Sequence, residues 1–277
     1  MSLPEDKLVY GGRPPRMSGK GYSKFDEPAN IVGFWLFNRP TGATDEQALR
    51  AGMRNRVKNA PNGPLDNYFP YDLPTVHDDY WTFSGTSPLL TPLMETSNLT
   101  AITLSRVPTS VKGNLGANSN ARAQPIGSHG NAAQRGFALE YNTTGQVRTT
   151  TYKDNGGSPS GQSVYCTVNV GEHDQWRIHQ VSLTPTTVGM SNRSGDGIIN
   201  DPTPATLTGG HVNGLQRIAI GSKIALGSNP VLPYTVPVDV ALVMIVSGTW
   251  TAPVEATMLA QVKRQIRLMP TITEGSV

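Results

Sequence analysis

A chain of 277 residues that is 37% hydrophobic and 16% charged, with 29 Gly and 22 Pro, is long enough for one large β domain; low charge and abundant turn-formers point away from a helical bundle. The net charge of +3 and pI near 9.0 are mild, and no Lys/Arg run concentrates them, which argues against nucleic-acid binding. No apolar run is long enough to span a bilayer, residues 1–22 lack the apolar segment of a signal peptide, and the one cysteine, Cys166, has no partner for an internal disulfide; the expectation is a chain made in a reducing cytoplasm, without membrane insertion.

Residues 1–30 mix Gly, Pro and charge with isolated aromatics and show no period, so they read as an extended arm. Such an arm needs a surface to lie on, either its own domain or, the preferred reading, a neighbouring subunit. The first strong strand is IVGFWLF at 31–37. An Asn- and Gly-rich segment follows, RNRVKNAPNGPLDNYFPYD, then DYWTFSG and NLTAITLSRV. Residues 110–136 are dominated by Gly, Asn, Ala and Ser and read as a long loop.

Phe137, Leu139 and Tyr141 then alternate with Ala138 and Glu140, as on a half-buried strand. The turn NTTG leads to the polar strand QVRTTTY, and Asn155-Gly156 marks a hairpin turn. Val164, Cys166, Val168 and Val170 alternate again, and Cys166 reads as a small buried hydrophobe. Trp176 and Ile178 are followed by Val181 and Leu183, a change of phase that predicts a β-bulge. Beyond TPTT and VGMSN comes NRSGDGIINDP, then LQRIAIGS.

The end of the chain is the most strongly patterned part. Val238, Val240, Leu242, Met244 and Val246 are expected on one face of a strand, with Asp239, Ala241, Val243 and Ile245 on the other. Both faces are mostly apolar, so both should be covered. After Gly248 the period changes: Leu259, Val262, Ile266 and Met269 line one face of a helix. Pro253 and Glu255 suit its first turn, Lys263, Arg264 and Arg267 its last, and Pro270 stops it. Neither an internal repeat nor a second domain boundary is visible.

VDVALVMIV, a short turn and a helix carrying EATMLAQV resemble the close of concanavalin A-like (laminin G-like) sandwich domains. Ala252 stands where that family often has a capping hydroxyl, and Thr251 is one residue early. The order of GFWLF, the segment N-x-x-x-N-A-P-N-G, D-Y-W-T-F and N-L-T-A-I-T-L resembles the opening of laminin G-like domains in bacteriophage tail-associated proteins. WRIHQVSL, LQRIAIGS and the closing strand keep that family's order, so the likeness spans roughly residues 31–269. It implies an all-β, concanavalin A-like antiparallel sandwich (jelly roll) at 31–269, with a short C-terminal helix, the N-terminal arm at 1–30 and a tail at 270–277.

Catalytic motifs are absent: there is no HExxH, CxxC, P-loop or nucleophile elbow. Some glycosidases of this fold set two or three carboxylates along one strand, about 5–10 Å apart across the cleft. Here the strands offer Glu140 alone and Asp239 alone, so no hydrolase activity is expected. The densest polar clusters, His77–Asp79 and Glu172–Asp174, read as turns and strand ends. Asp196, Asn200 and Asp201, with Asn192, could ligate calcium through oxygen, and the same residues also suit a plain turn. Tyr80, Trp81 and Tyr152 lie beside polar segments and are the candidates for an aromatic platform that stacks on a sugar; Trp35 and Trp176 read as core.

With the family resemblance, these features lead to the expectation of a virion structural protein, tail-associated in a fibre or baseplate. It would be anchored to other virion proteins through the arm, homo-oligomeric, and turned toward a host-surface glycan. A capsid decoration or cement protein is one alternative, and a carbohydrate-active enzyme or free lectin is the other.

Overall fold

A computed structural model describes residues 30–57, 67, 69–70, 72–116, 121–128, 135–142, 146–167, 172–194, 197–222, 234–248, 252–267 and 269–272. The expected arm, apart from Asn30, and residues 273–277 of the tail lie outside the described residues.

Two antiparallel sheets form the body. The first runs β12 (Gly197–Asn200), β11 (Thr187–Ser194), β10 (Arg177–Leu183), β5 (Leu99–Arg106), β15 (Val238–Ser247), β3 (Trp81–Phe83) and β2 (Thr75–Val76). β1 (Ile31–Leu36) also pairs with β15, and β13 (Ala205–Thr206) with β11. The second sheet runs β4 (Leu89–Met94), β14 (Arg217–Ile220), β6 (Ala123–Gly127), β7 (Ala138–Tyr141), β8 (Gln146–Asn155) and β9 (Ser158–Thr167).

β15 is buried on both faces, as its composition demands, but its alternation is interrupted. The register slips between Val240 and Leu242 against β5. Val238 and Val240 therefore join Val243 and Ile245 in the core between the sheets, while Ala241, Leu242, Met244 and Val246 face the opposite way. A bulge changes the phase of a strand without changing its hydrophobicity, which is why the alternation expected from sequence fails at Ala241. The bulge expected between Ile178 and Val181 is absent. β10 keeps an unbroken register, with Ile178 in the outer core and Val181 and Leu183 in the inner one. An odd spacing places them on opposite faces, and both faces are covered.

The outer face of the first sheet is covered by helix α2 (Ala252–Ile266). Met258, Val262 and Ile266, with Met269 and Ile272 beyond the helix, pack on Phe34, Ile102, Leu104, Ile178, Leu242 and Met244. Leu259, expected on the buried face, is only partly buried, and Met258 takes the central place. Asp79 anchors the chain after the helix by accepting from the Thr271 N–H and hydroxyl, each at 2.6 Å.

Two elements depart from the sequence reading. The expected loop at 110–136 contains β6, whose five residues are all buried. Its sequence AQPIG carries a Pro and a Gly that read as loop, and pairing with β7 and β14 makes it a strand. Helix α1 (Asp45–Gly52), not anticipated, opens with a capping box in which Thr44 and Gln47 each accept from the other's backbone N–H.

A polar cluster interrupts the core between the sheets. The Tyr141 hydroxyl lies 3.0 Å from both Ser105 Oγ and His179 Nε2. Burial, reinforced by Arg177 and His173, pushes the His179 pKa down to about 3, so the ring is neutral. Burial also pushes the Cys166 thiol up to about 12, with Asp201 adding to the shift, and keeps it unreactive.

Candidate functional site

The outer face of the second sheet lacks a covering helix among the described residues. On β8, Val147, Thr149 and Thr151 turn inward, so the period of two turns Arg148, Thr150 and Tyr152 outward. On β9, Val164 and Cys166 turn inward and Tyr165 outward. Cross-strand registry then places Glu140 of β7, Arg148 and Tyr165 in one row, with Thr150 and Ser163 in the next. The Thr150 and Ser163 hydroxyls lie 2.9 Å apart.

Glu140 is 1% exposed, an unusual place for a carboxylate on an outer face. Arg148 Nε donates to its Oε2 at 2.6 Å and Arg122 Nη1 at 3.4 Å, while the Tyr234 hydroxyl donates to Oε1. Burial alone would lower the Arg148 pKa; the charge of Glu140 and hydrogen bonds to Glu140 and Tyr165 outweigh it and raise it. Tyr152 and Tyr234 are both shifted up, first by burial and then by the charge of Glu140. Two guanidinium groups share one carboxylate, so the cluster carries surplus positive charge. Beside it, Tyr165 is 43% exposed. The arrangement offers a ring face next to oriented, charge-assisted donors.

A strap at 207–214 borders this face. Its His211 ring reaches down to Thr151 Oγ1 and Glu95 Oε1, 2.8 Å from each, and Val212 N donates to the Tyr152 carbonyl at 2.9 Å. Glu95 also accepts from Ser128 and from the N–H groups of Phe137 and Gly214. The side chains of His211 and Glu95 are fully buried, which suits a fastening.

The structure separates the three aromatics expected to form a platform. Tyr152 lies on this face, though only 9% exposed. Trp81 is 0% exposed and packs on Phe37 and Phe83, so it is core and cannot stack on a ligand. Its strand neighbours are polar enough to suggest a surface, but its own ring fills the space between the sheets. Tyr80 lies on the other sheet's outer side, with His77 stacked on it at 4.4 Å, Trp176 edge-on at 5.2 Å, and the Arg106 guanidinium over both Tyr80 and Trp176. Arg106 Nε and the Thr82 hydroxyl donate to Asp239, whose pKa is raised by burial despite them.

Of the residues considered for calcium, Asp196 and the Asn200 side chain lie outside what is described, Asp201 is exposed, and Asn192 is buried. Among the described residues no group of three or more His, Cys, Asp or Glu could hold a metal. The polar clusters at 77–79 and 172–174 are tied down: Arg39 pairs with Asp78 at 3.3 Å and Thr271 donates to Asp79, while Lys112 pairs with Asp174 at 2.9 Å and Arg177 with Glu172 at 3.2 Å. Arg122, Arg148 and Tyr165 were missed as site residues. The alternation of QVRTTTY does place Arg148 with Tyr152, but Arg122 and Tyr165 come from other strands.

No family model matches the sequence, and no curated protein matches it. Solved structures share the architecture at low identity. A prokaryotic β-1,3-1,4-glucanase (lichenase) derived from a mouse hindgut metagenome is 11% identical, with TM-score 0.42 over 63% of this chain and 83% of that one. The CBM40 of Ruminococcus gnavus IT-sialidase, bound to α2,3 sialyllactose, is 12% identical, with TM-score 0.40 over 59% and 83%. Mouse laminin α1 chain domains LG4-5 are 10% identical, with TM-score 0.41 over 64% of this chain and 44% of that one. The fold is a two-sheet antiparallel β-sandwich closed by a helix. These likenesses assign neither family nor activity.

Proposed function

We propose that this chain is a non-hydrolytic glycan-binding sandwich whose binding face is the outer side of the second sheet. The observation that carries the reading is the exposed Tyr165 ring next to the Arg122–Glu140–Arg148 cluster. A pyranose stacks its apolar face on an aromatic ring while its hydroxyls take oriented donors. Glu140 is the wrong carboxylate for hydrolysis: both oxygens accept from cationic or phenolic donors, and its cluster holds no second carboxylate among the described residues. The virion setting rests on the sequence resemblance of the opening strands alone. Mass spectrometry of purified particles from a host producing this chain tests it, and its absence from them would remove that setting.

The test of the binding site is a glycan array followed by calorimetry on the strongest hit. Tyr165→Ala and Arg148→Ala are expected to weaken binding at least tenfold, about 1.4 kcal/mol, while Tyr165→Phe keeps most of it. Full affinity in Tyr165→Ala would refute the assignment. New reducing ends released from the bound glycan, and lost in Glu140→Gln, would refute the non-hydrolytic part.

A further inference from the structure

Among the described residues six strands lie at sheet edges, and five are blunted. β2 has two residues; β12 has four, with an irregular register; β4 contains Pro92 and slips in register against β14. β13 has two residues, and the free side of β1 is taken by Asn55, which donates to the Val32 carbonyl and accepts from Phe34 N, and by Arg56 N on the Phe34 carbonyl. β9 differs: it is ten residues long, runs in unbroken register with β8, contains no charged residue, and its one proline, Pro159, lies next to the turn and leaves the edge from Gly161 onward free of proline.

The hairpin geometry identifies the groups that point off this edge. Gly156 and Gly157 have φ of +67° and +93°, a type I′ turn, so Asn155 and Ser158 form the closing hydrogen-bonded pair. The expected Asn-Gly turn is thus shifted by one residue, to Gly-Gly. Counting back from the turn, Ser160, Gln162, Val164 and Cys166 bond to β8, and Gly161, Ser163 and Tyr165 direct N–H and C=O outward. The opposite edge of β8 agrees, since Asp154 N donates to Gly210 and the Tyr152 carbonyl accepts from Val212, both away from β9. Among the described residues, the outward backbone groups of Gly161, Ser163 and Tyr165 have no partner.

We propose that β9 pairs antiparallel with β9 of a second copy of this chain, about a two-fold axis at Ser163. That register brings Ser163 opposite its twin and each Tyr165 opposite the other copy's Gly161, so all three outward residues exchange hydrogen bonds. The side chains select the same register. A Cβ at Gly161 would have only Tyr152 near it, at 4.0 Å, so the outer face above Gly161 is open, while Tyr165, four residues on, has Arg148 across from it on β8 and is 43% exposed. An aromatic residue laid across a strand glycine is a favourable cross-strand pair. The strand is therefore complementary to itself, and pairing closes at a dimer. The two second sheets become one continuous sheet carrying Tyr152 and Tyr165 of both copies on one face. The pairing does not depend on the glycan reading.

Sedimentation velocity of the full chain tests it. The parent is expected as a concentration-dependent dimer. Ser163→Pro removes one outward N–H, leaves the backbone bonds to β8 in place though it also removes the Ser163–Thr150 hydroxyl contact, and should give a monomer that still unfolds cooperatively. Ser163→Lys and Ser163→Glu set like charges opposite each other and should each give monomers, while their equimolar mixture re-forms the dimer. Hydrogen exchange at Gly161, Ser163 and Tyr165 should be slow in the parent and fast in Ser163→Lys. If Ser163→Pro does not fold, the Lys and Glu pair decides. A parent that stays monomeric at its highest soluble concentration, or a Ser163→Lys dimer as stable as the parent, overturns the proposal, whether or not a glycan is bound.

Discussion

Replacing Ile266 by Ala perturbs the contact between α2 and the first sheet and nothing else. Ile266 is 2% exposed and sits in the outer core with Met258, Val262, Leu242 and Met244. The change removes three carbons, worth roughly 0.8 kcal/mol each as transfer free energy, and leaves a cavity that the rigid sheet cannot close; the expected cost is about 2–5 kcal/mol. Domains of this size lose roughly 2 °C of midpoint per kcal/mol, so the melt should fall by about 4–10 °C, and urea unfolding should shift by a matching free energy. Arg264→Ala, on the exposed side of the same helix, should stay within about 0.5 kcal/mol of the parent. Met258→Ala should cost more than Leu259→Ala, because Met258 is the fully buried one of the pair. An unchanged midpoint for Ile266→Ala would mean that the helix is not docked, and equal costs at 258 and 259 that it is docked on a different face.

His179 should make stability pH-dependent. Its pKa falls from 6.5 to about 3 on folding, so between those values the unfolded chain binds more protons. Stability is then fully present above pH 6.5 and is lost as pH falls toward 3, by up to about 1.4 kcal/mol per pH unit. His179→Gln should flatten that slope in acid titrations of the melting midpoint, and an unchanged slope would contradict the assignment. Gly221 has φ of +90°, and a Cβ there would lie 2.1 Å from the Phe83 ring, so Gly221→Ala should yield little folded protein by circular dichroism.

The double-sided β15 and the helix after it were legible because both carry long, strongly periodic apolar patterns. The phase of β15 was not, since a bulge at Ala241 leaves no mark on composition when both faces are apolar. β6 escaped notice because its five residues include Pro125 and Gly127, which read as loop, and α1 because its capping pattern lay among residues of no strong period. The candidate site was half visible: Glu140, Arg148 and Tyr152 stand on neighbouring strands with readable alternation. What joins them to Arg122, Tyr165 and Tyr234 is sheet order, and a one-dimensional pattern does not encode which strands become neighbours. Trp81 misled because a polar neighbourhood in sequence is not one in space.

The position of β15 bears on how the chain is made. Among the described strands it is the last to leave the ribosome, yet it lies in the middle of the first sheet, between β5 on one side and β1 and β3 on the other. Strands synthesised well over a hundred residues earlier must wait for it with their hydrogen-bonding edges and apolar faces open. The β8–β9 hairpin can close as soon as it emerges. Synthesis proceeds at roughly 5–20 residues per second, so Ile102 and Leu104 stay uncovered for several seconds or more, a window that chaperones have to bridge. Messages cut short before β15 would yield a chain with one sheet assembled and the other split down its centre.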